Sequence, residues 1–220
     1  MNLFDIVGPV MVGPSSSHTA GAVRIGLVAR KLAGEDIVKA EIFLHGSFAH
    51  SGKGHGTDRA LVAGLLGLDV SDPRIPDAFE LASEKALDFT FGTIDLGEEA
   101  HPNSVKMLLT SSNGRVTEIV SSSIGAGRIM VNSLNDMKVE FSGEYPTVII
   151  TNTDQPGCVA DVSAFLHKAK INIASLSLHR NGRGKNACMI IECDEEVYSD
   201  SLEKLRAVNG IQNVTYYSPY

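Results

Sequence analysis

Residues 147–180 read TVIITNTDQPGCVADVSAFLHKAKINIASLSLHR, and their pattern decides the fold of the C-terminal part of the chain. A β-branched run is followed by a turn at DQPG, by apolar residues at helical spacing, and by a second, strictly alternating run. NGRG, which comes next, is typical of a hairpin turn. With the segments after it, the pattern predicts the ferredoxin-like order βαββαβ, with strands at 147–153, 171–180, 185–193 and 214–218 and helices at 158–170 and 200–208.

The first strand–helix turn, NTDQPG (152–157), and the Asn172-Ile173 start of the second strand resemble the ACT domains, which regulate amino-acid enzymes. The resemblance implies an ACT domain over residues 145–220 and a small effector bound at this turn, often across a dimer interface. The plainer alternative is that NTDQPG is only a turn and a helix cap, and the sequence leaves both open. The residues that would bind the effector are Asn152, Asp154, Gln155 and Gly157.

The stretch SGEYP (142–146) separates two strand-like runs with a glycine and a proline, which predicts a domain boundary there. Residues 1–144 are predicted to form a mixed α/β domain, so the fold class is α/β followed by α+β. Helices are predicted at 20–32, 58–68 and 77–86, and strands at 38–46, 106–112, 117–124, 128–134 and 137–143.

The composition excludes several classes of protein. With 43% hydrophobic and 20% charged residues, the chain can bury a core and is not a disordered tail. A net charge of −7 argues against a nucleic-acid partner and against a basic membrane-binding surface. The N-terminus has no cationic segment ahead of its apolar residues, and no apolar run approaches the length of a membrane span. We therefore expect a cytoplasmic protein.

The three cysteines, Cys158, Cys188 and Cys193, fit no zinc or iron–sulfur ligand spacing. Cys188 and Cys193 lie five residues apart in a strand-like run, so they are expected on opposite faces of a strand. We expect reduced, partly buried thiols and no metal ligated by this chain.

Two stretches place a histidine and a threonine directly before a predicted helix: SSSHTAG (15–21) and GKGHGTD (52–58). Thr19 and Thr57 are candidate N-caps, and free backbone N–H groups at a helix start favour a carboxylate or a phosphate. The serines add hydroxyl donors, and the glycines allow close approach of the backbone to a ligand. Simple helix capping is the alternative reading, but two such loops together favour a shared site for a small acid.

Two further stretches are weaker candidates. HPNS (101–104) is stiffened by a proline and offers the polar groups of His101 and Asn103. SSSIGAGR (121–128) contains glycines that are typical of a tight turn or a close backbone approach, and it could lie beside the same site. A serine hydrolase is disfavoured because no G-x-S-x-G elbow occurs, and GKGHG lacks the remainder of a phosphate-binding P-loop.

Taken together, GPSSSHTAGAVRIG (13–26), GSFAHSGKGHGTDRA (46–60), HPN and SIGAG, followed by an ACT-like domain, resemble the β subunit of the two-chain, iron–sulfur-dependent L-serine dehydratases. The resemblance covers essentially the whole chain. It implies that the N-terminal domain is related to the regulatory domain of some phosphoglycerate dehydrogenases. Residues 48–51 vary in that family, so no role is assigned to His50.

The resemblance implies a lyase that removes water from L-serine and gives pyruvate and ammonia, active only in complex with an α subunit that carries a four-iron four-sulfur cluster. It makes His55 the expected base for the Cα proton and His18 the second choice or an orienting group. No pyridoxal phosphate is expected. The residues expected to hold the substrate are Ser15, Ser16, Ser17, Thr19, Gly54, His101 and Asn103.

The expected partners are the α subunit, L-serine, and a second copy of the chain through ACT pairing, as a homodimer or as a dimer of heterodimers. The alternative function is a non-catalytic ACT-type regulatory protein that binds an amino acid. In that case the two histidine loops would form an effector pocket instead of an active site.

Overall fold

A computed structural model of the chain describes residues 10–34, 36–180 and 182–219. It divides into two compact units, the first ending at Asp136 and the second beginning at Met137. Each unit is described by itself below, and the domain boundary expected between residues 144 and 145 remains a prediction. The first nine residues and Asn181 of the predicted NGRG turn lie outside the described residues.

The first unit contains a sheet flanked by helices. Its strands lie in the order β2-β1-β3-β4-β5, with β1 and β2 parallel and the other neighbouring pairs antiparallel. The strands are Ile37–Leu44 (β1), Asp88–Thr93 (β2), Ser104–Ser111 (β3), Val116–Gly125 (β4) and Arg128–Leu134 (β5), and the helices are Gly21–Ala33 (α1), Gly46–Ser51 (α2), Thr57–Leu65 (α3) and Ala78–Glu84 (α4).

Strand register places apolar residues of β1 and β3 opposite each other, as in the pairs Ala40–Leu109 and Ile42–Met107, all fully buried. Helix α1 packs over β3, β4 and β5. The alternation of buried and half-buried positions along β3 is what a sheet with one face in the core requires. The mixed α/β fold expected for this part of the chain is confirmed.

Helices α1 and α3 cross at two glycines. A Cβ added at Gly26 would lie 2.4 Å from the Leu61 carbonyl oxygen, and one added at Gly64 would lie 2.1 Å from the Val23 carbonyl oxygen. No side chain fits at either position, so the two backbones approach directly. This contact fixes the helices whose N-termini carry the two histidine loops.

Two elements were not expected from the sequence, β2 and the short helix α2. The strand predicted at 38–46 ends at Leu44, because His45 lies just before α2 and turns the chain away from the sheet. The helix predicted at 58–68 ends at Leu65, where Leu66 and Gly67 form a turn.

The second unit begins with strand β6 (Met137–Phe141) and contains a four-stranded antiparallel sheet in the order β10-β7-β9-β8. The order along the chain is the predicted βαββαβ: Thr147–Thr153 (β7), Cys158–Lys168 (α5), Ile173–Arg180 (β8), Asn186–Cys193 (β9), Ser199–Arg206 (α6) and Ile211–Tyr217 (β10). The ferredoxin-like arrangement of an ACT domain is therefore confirmed.

The core of the second unit lies between this sheet and its two helices. Val162 and Leu166 of α5 are completely buried against Met189 and Ile191 of β9. Val159 is 39% exposed, because Cys158 takes the core position in the first turn of the helix. The apolar face of α5 is narrower than its sequence pattern indicates.

The three cysteines are free and buried in the second unit. Cys193 belongs to the core between sheet and helices, and Cys188 does not, as expected for opposite faces of a strand. Burial raises the pKa of Cys188 and of Cys193 to about 11. None of the helices in the described ranges is long and apolar enough to cross a membrane.

Candidate functional site

The two histidine loops of the first unit come together in space. The imidazole rings of His18 and His55 have their centroids 4.8 Å apart and are inclined by 38°. Both side chains are half-buried. Two imidazoles at this distance can both contact one small ligand. The sequence analysis predicts such a shared site for a small acid.

The loop that carries His18 does not start an ordinary α-helix. Residues Ser16–Ala20 form one π-helical turn that runs directly into α1, with the Gly21 N–H bonded to the Ser16 carbonyl. The Ser15 hydroxyl caps this turn by accepting a 3.0 Å hydrogen bond from the His18 N–H. Single π-turns often occur at functional sites, since the extra residue turns a side chain out of helical register. Here His18 lies in that turn.

The prediction that Thr19 and Thr57 cap the two helices is wrong. The N-cap of the first turn is Ser15, and that of α3 is Gly56 in a left-handed conformation (φ 69°). Each threonine hydroxyl is used elsewhere. Thr19 Oγ1 donates to the His55 carbonyl and Thr57 Oγ1 donates to the His18 carbonyl, both at 2.9 Å.

His18 is bordered by one face of α2. Its Nε2 lies 3.1 Å from Ser47 Oγ and 3.2 Å from Ser51 Oγ, and its ring meets the buried ring of Phe48 edge-on at 5.4 Å. Desolvation by burial lowers the pKa of His18, the charge of a protonated His55 lowers it further, and a hydrogen bond to the Ser47 backbone acts in the opposite direction. His18 is therefore biased toward the neutral form.

His55 is oriented by the backbone of the same short helix. Its Nδ1 lies 3.0 Å from the Ser51 carbonyl oxygen. Because a carbonyl can only accept, Nδ1 carries the proton in the neutral ring and Nε2 carries the lone pair. This is the tautomer that a general base needs, with the basic nitrogen pointing away from its backbone anchor.

The His101–Ser104 loop packs against α2. The Pro102 carbonyl accepts from the Ser47 N–H at 2.7 Å, and the Asn103 carbonyl accepts from the Ser123 N–H at 2.9 Å. The Asn103 side-chain oxygen is buried and has no partner within the part of the chain that the structure describes. His101 is exposed, and its Nδ1 accepts from the Asn103 N–H at 3.1 Å. The loop thus reaches the residues around His18.

The turn between β4 and β5 lies against the start of α1. A Cβ at Gly21 would be 2.1 Å from Ser123 Oγ, so Ser123 sits directly on the backbone beside the π-turn. Arg24 Nη1 donates to the Gly127 carbonyl at 3.0 Å and ties the same turn to α1. Ser123 Oγ is buried without a partner among the described residues. The SSSIGAGR stretch therefore borders the first histidine loop.

The remaining candidates belong to the same two loops and differ in exposure. Ser15, Ser16 and Ser17 are half-buried, whereas Gly54 is exposed, and a Cβ added there would meet nothing within 4 Å. The structure thus brings the four sequence stretches to one place. Their roles in binding remain predictions.

Sequence reasoning missed three residues of this region, Ser47, Phe48 and Ser51. Ser47 and Ser51 are four residues apart on α2, and this spacing places both hydroxyls on one face of a helix. The missing signal was the helix itself, since GSFAHS is too short to show a periodic pattern. His50 is exposed, and its Nδ1 lies 2.6 Å from the Gly46 carbonyl.

The strand–helix turn NTDQPG (152–157), the predicted effector site of the second unit, is held by hydrogen bonds of the Asp154 side chain. Asp154 Oδ2 accepts from Arg180 Nη1 at 3.2 Å and from the Gly184 N–H at 3.1 Å. The Asn152 side chain is buried, and its Oδ1 has no partner in the described segments. Gln155 and Gly157 are exposed, the latter at φ 98°.

The described residues do not fit a metal or a cluster. Among them, no group of three or more histidine, cysteine, aspartate or glutamate side chains could hold a metal ion. Thiolates are the ligands of iron–sulfur clusters, and the raised pKa values of Cys188 and Cys193 favour the protonated thiol.

Comparisons with known proteins agree with this architecture. The serine dehydratase beta chain family matches residues 2–87, and the ACT domain family matches residues 147–210. The chain is 42% identical over 212 residues to the L-serine dehydratase, beta chain, of Peptoniphilus asaccharolyticus, covering 96% of this chain and 94% of that one. The probable L-serine dehydratase, beta chain, of Bacillus subtilis (strain 168) is 40% identical over 214 residues, covering 97% and 96%.

A more distant similarity extends to another enzyme. The D-3-phosphoglycerate dehydrogenase of Methanocaldococcus jannaschii is 27% identical over 117 residues, which cover 53% of this chain and 22% of that protein.

Proposed function

The chain belongs to the serine dehydratase β-chain family, and we propose that it supplies the proton-abstracting residues of an L-serine dehydratase that works only with an α chain. In the reaction, a base takes the Cα proton of L-serine and the Cβ–O bond breaks. Water and aminoacrylate are formed, and aminoacrylate then tautomerises and hydrolyses to pyruvate and ammonia.

The observation that carries this proposal is the hydrogen bond from His55 Nδ1 to the Ser51 carbonyl. It leaves the lone pair of the neutral ring on Nε2. A Cα–H bond is a weak acid, so its base must be neutral and correctly oriented before the substrate arrives. The hydrogen bond to the Ser51 carbonyl gives His55 the required orientation, and we propose that it is the base.

His18 is the second candidate for the base, and we favour an orienting role for it. Its Nε2 faces two serine hydroxyls of α2 at 3.1 and 3.2 Å, which engages that nitrogen within the protein. Its burial and the nearby His55 lower its pKa and so favour the neutral ring. A neutral ring at 4.8 Å can accommodate the positive charge that His55 acquires, whereas a charged ring would oppose it.

We propose that the substrate carboxylate binds at the start of the π-turn. Ser15, Ser16 and Ser17 offer hydroxyl groups there, and the first turn of a helix provides backbone N–H groups without partners inside the helix. Gly54, His101 and Asn103 complete the pocket. We now assign Thr19 to holding the two loops together, because its hydroxyl is engaged with the His55 carbonyl and its N–H with the Ser15 carbonyl.

The leaving hydroxyl group needs an electrophile, and no group of three or more metal-ligating side chains occurs among the described residues. We propose that the partner α chain carries it as a four-iron four-sulfur cluster, without pyridoxal phosphate. The proposal follows from the family resemblance and from the protonated, buried state of the cysteines in this chain. A complex of this kind would work in the cytoplasm.

The ACT domain is proposed to bind a small effector at Asn152, Asp154, Gln155 and Gly157, in a homodimer or in a dimer of heterodimers. The buried, unpartnered Asn152 Oδ1 supports this role, since a ligand ammonium or hydroxyl group would satisfy it. Calorimetric titration of the chain with L-serine checks the proposal. Asn152→Ala is expected to weaken the binding without changing turnover at saturating substrate.

The function is tested by an anaerobic assay of serine-dependent pyruvate formation. The chain alone, a cluster-bearing α chain alone, and their mixture reconstituted with iron and sulfide are compared, and activity is expected only in the mixture. In that mixture His55→Ala is expected to lower turnover by about 100-fold or more while serine still binds. His167→Ala, an exposed histidine on α5, serves as the matched control.

Two results would contradict the proposal in different ways. Retained turnover in His55→Ala would contradict the assignment of the base. If no mixture forms pyruvate and this chain alone binds serine tightly, the alternative of a regulatory protein without catalysis is favoured.

A further inference from the structure

Both histidines of the pair are held by a single residue of α2. Ser51 Oγ lies 3.2 Å from His18 Nε2, and the Ser51 carbonyl oxygen lies 3.0 Å from His55 Nδ1. Ser51 is the last residue of the helix, so its carbonyl is free of the helical hydrogen-bond pattern. The same residue therefore touches one ring through its side chain and the other through its backbone.

The proton of the Ser51 hydroxyl is already used. Ser51 Oγ donates to the Ser47 carbonyl at 2.9 Å, four residues earlier on the helix. A hydroxyl has one proton and two lone pairs, so toward His18 the Ser51 oxygen can act only as an acceptor. This arrangement requires His18 Nε2 to carry the proton.

The neighbouring hydroxyl of Ser47 offers a competing arrangement. Ser47 Oγ lies 3.1 Å from His18 Nε2 and could donate to a bare Nε2. In that case the lone pairs of Nε2 and of Ser51 Oγ would face each other at 3.2 Å, which is repulsive. With Nε2 protonated, the ring donates to the serine oxygens, and the Ser47 hydroxyl can donate to Ser51 Oγ at 3.2 Å. The second arrangement satisfies more groups.

We propose that Ser51 is a positioning residue that holds the two imidazoles in opposite neutral tautomers. Its hydroxyl oxygen accepts from His18 Nε2–H, and its carbonyl accepts from His55 Nδ1–H. His18 then cannot offer its Nε2 lone pair, while His55 keeps the lone pair of Nε2 for the substrate. This rests on the proposed function in one respect only, the identity of His55 as the base. The tautomers themselves can be measured without any turnover.

The primary test is nuclear magnetic resonance of the full chain labelled with ¹⁵N-histidine. Long-range ¹H–¹⁵N correlation spectra are recorded over a range of pH, and the tautomers are taken from spectra in which the histidine signals no longer change as the pH is raised. The signals are assigned with His18→Gln and His55→Gln. His18 is expected to show a protonated Nε2 and His55 a protonated Nδ1, and the same tautomer at both rings would overturn the proposal.

Three variants separate the contribution of Ser51 from that of its neighbour. Ser51→Ala removes the acceptor but keeps the carbonyl, so His18 is expected to change to the Nδ1–H tautomer while His55 does not change. Ser51→Thr restores the hydroxyl and the original spectrum. Ser47→Ala removes the competing donor, so His18 is expected to keep its Nε2 proton. A Ser51→Ala spectrum with an unchanged His18 would refute the inference, and so would a tautomer change in Ser47→Ala.

The reconstituted enzyme gives the second readout. Ser51→Ala is expected to lower kcat on the order of tenfold with little change in KM, and Ser51→Thr is expected to recover most of it. If the tautomers respond as expected but His55→Ala keeps its turnover, the positioning role stands and the proposed base fails. If kcat falls in Ser51→Ala without a tautomer change, the positioning role is wrong.

Discussion

Thr19 and Thr57 connect the two histidine loops reciprocally: each threonine hydroxyl donates a 2.9 Å hydrogen bond to the backbone carbonyl of the histidine in the other loop. Both threonines are buried, with exposures of 2% and 0%. The distance between the rings of His18 and His55 is therefore fixed at the level of the backbone. A site of this construction is organised before a substrate binds.

Replacing Thr57 by the isosteric valine is expected to destabilise the chain by about 1 kcal/mol, because the hydrogen bond to the His18 carbonyl of the other loop is lost. Urea unfolding measures the change. Thr90→Val, on the exposed face of β2, is the matched control and is expected to stay within about 0.5 kcal/mol. The tie between the loops would have no energetic importance if Thr57→Val were as stable as the natural chain.

The crossing of α1 and α3 gives a second prediction. A methyl group at Gly64 meets the Val23 carbonyl at 2.1 Å and must push the helices apart. Gly64→Ala is therefore expected to cost about 1–3 kcal/mol in the free energy of unfolding and to lower turnover in the complex, since the helices carry the two histidine loops. Thermal unfolding and the pyruvate assay measure both effects. A fully stable Gly64→Ala chain would show that the helices separate at little cost.

The pKa of His18 predicts how stability depends on pH. Because the pKa is lowered from 6.5, the unfolded chain takes up this proton at a higher pH than the folded one. The free energy of unfolding is therefore not reduced by His18 at a pH well above 6.5. It falls as the pH drops through about 6.5, the unfolded pKa, toward the lower folded pKa. His18→Gln is expected to flatten this part of the pH profile in urea unfolding. An unchanged slope in His18→Gln would contradict the lowered pKa.

The sequence predicted the regular elements well, and it predicted the site only in outline. Long periodic segments such as α1 and the βαββαβ unit follow from local pattern, and the loops with His18 and His55 were recognised by their residue types. The cross-loop bonds of Thr19 and Thr57 depend on two segments meeting in space, which a local capping rule does not contain. For the same reason the rule assigned both threonines to the wrong partners.

The role of Ser51 was hidden for a different reason. Its helix, α2, is six residues long, so it shows no hydrophobic period. The contact of Gly26 with Gly64 is likewise invisible in the sequence, since a glycine inside a helix reads as a weak helix former. In each case the sequence does not show which other backbone segment lies against the residue in the folded chain.

A substitution at Gly54 distinguishes an effect on folding from an effect on substrate binding or assembly. It is exposed, its φ is not positive, and a Cβ there would meet no atom within 4 Å, so Gly54→Ala is expected to leave the melting temperature unchanged. If the substrate or the α chain approaches this backbone in the complex, the added methyl group lies in its path. Gly54→Ala is then expected to raise KM or to weaken assembly, by about tenfold for a loss of about 1.4 kcal/mol. Titration of the α chain against the variant, followed by the pyruvate assay at saturating α chain, distinguishes these two effects. Natural assembly and a natural KM would place the ligand away from Gly54 and would restrict the pocket to the serines before His18, His101 and Asn103.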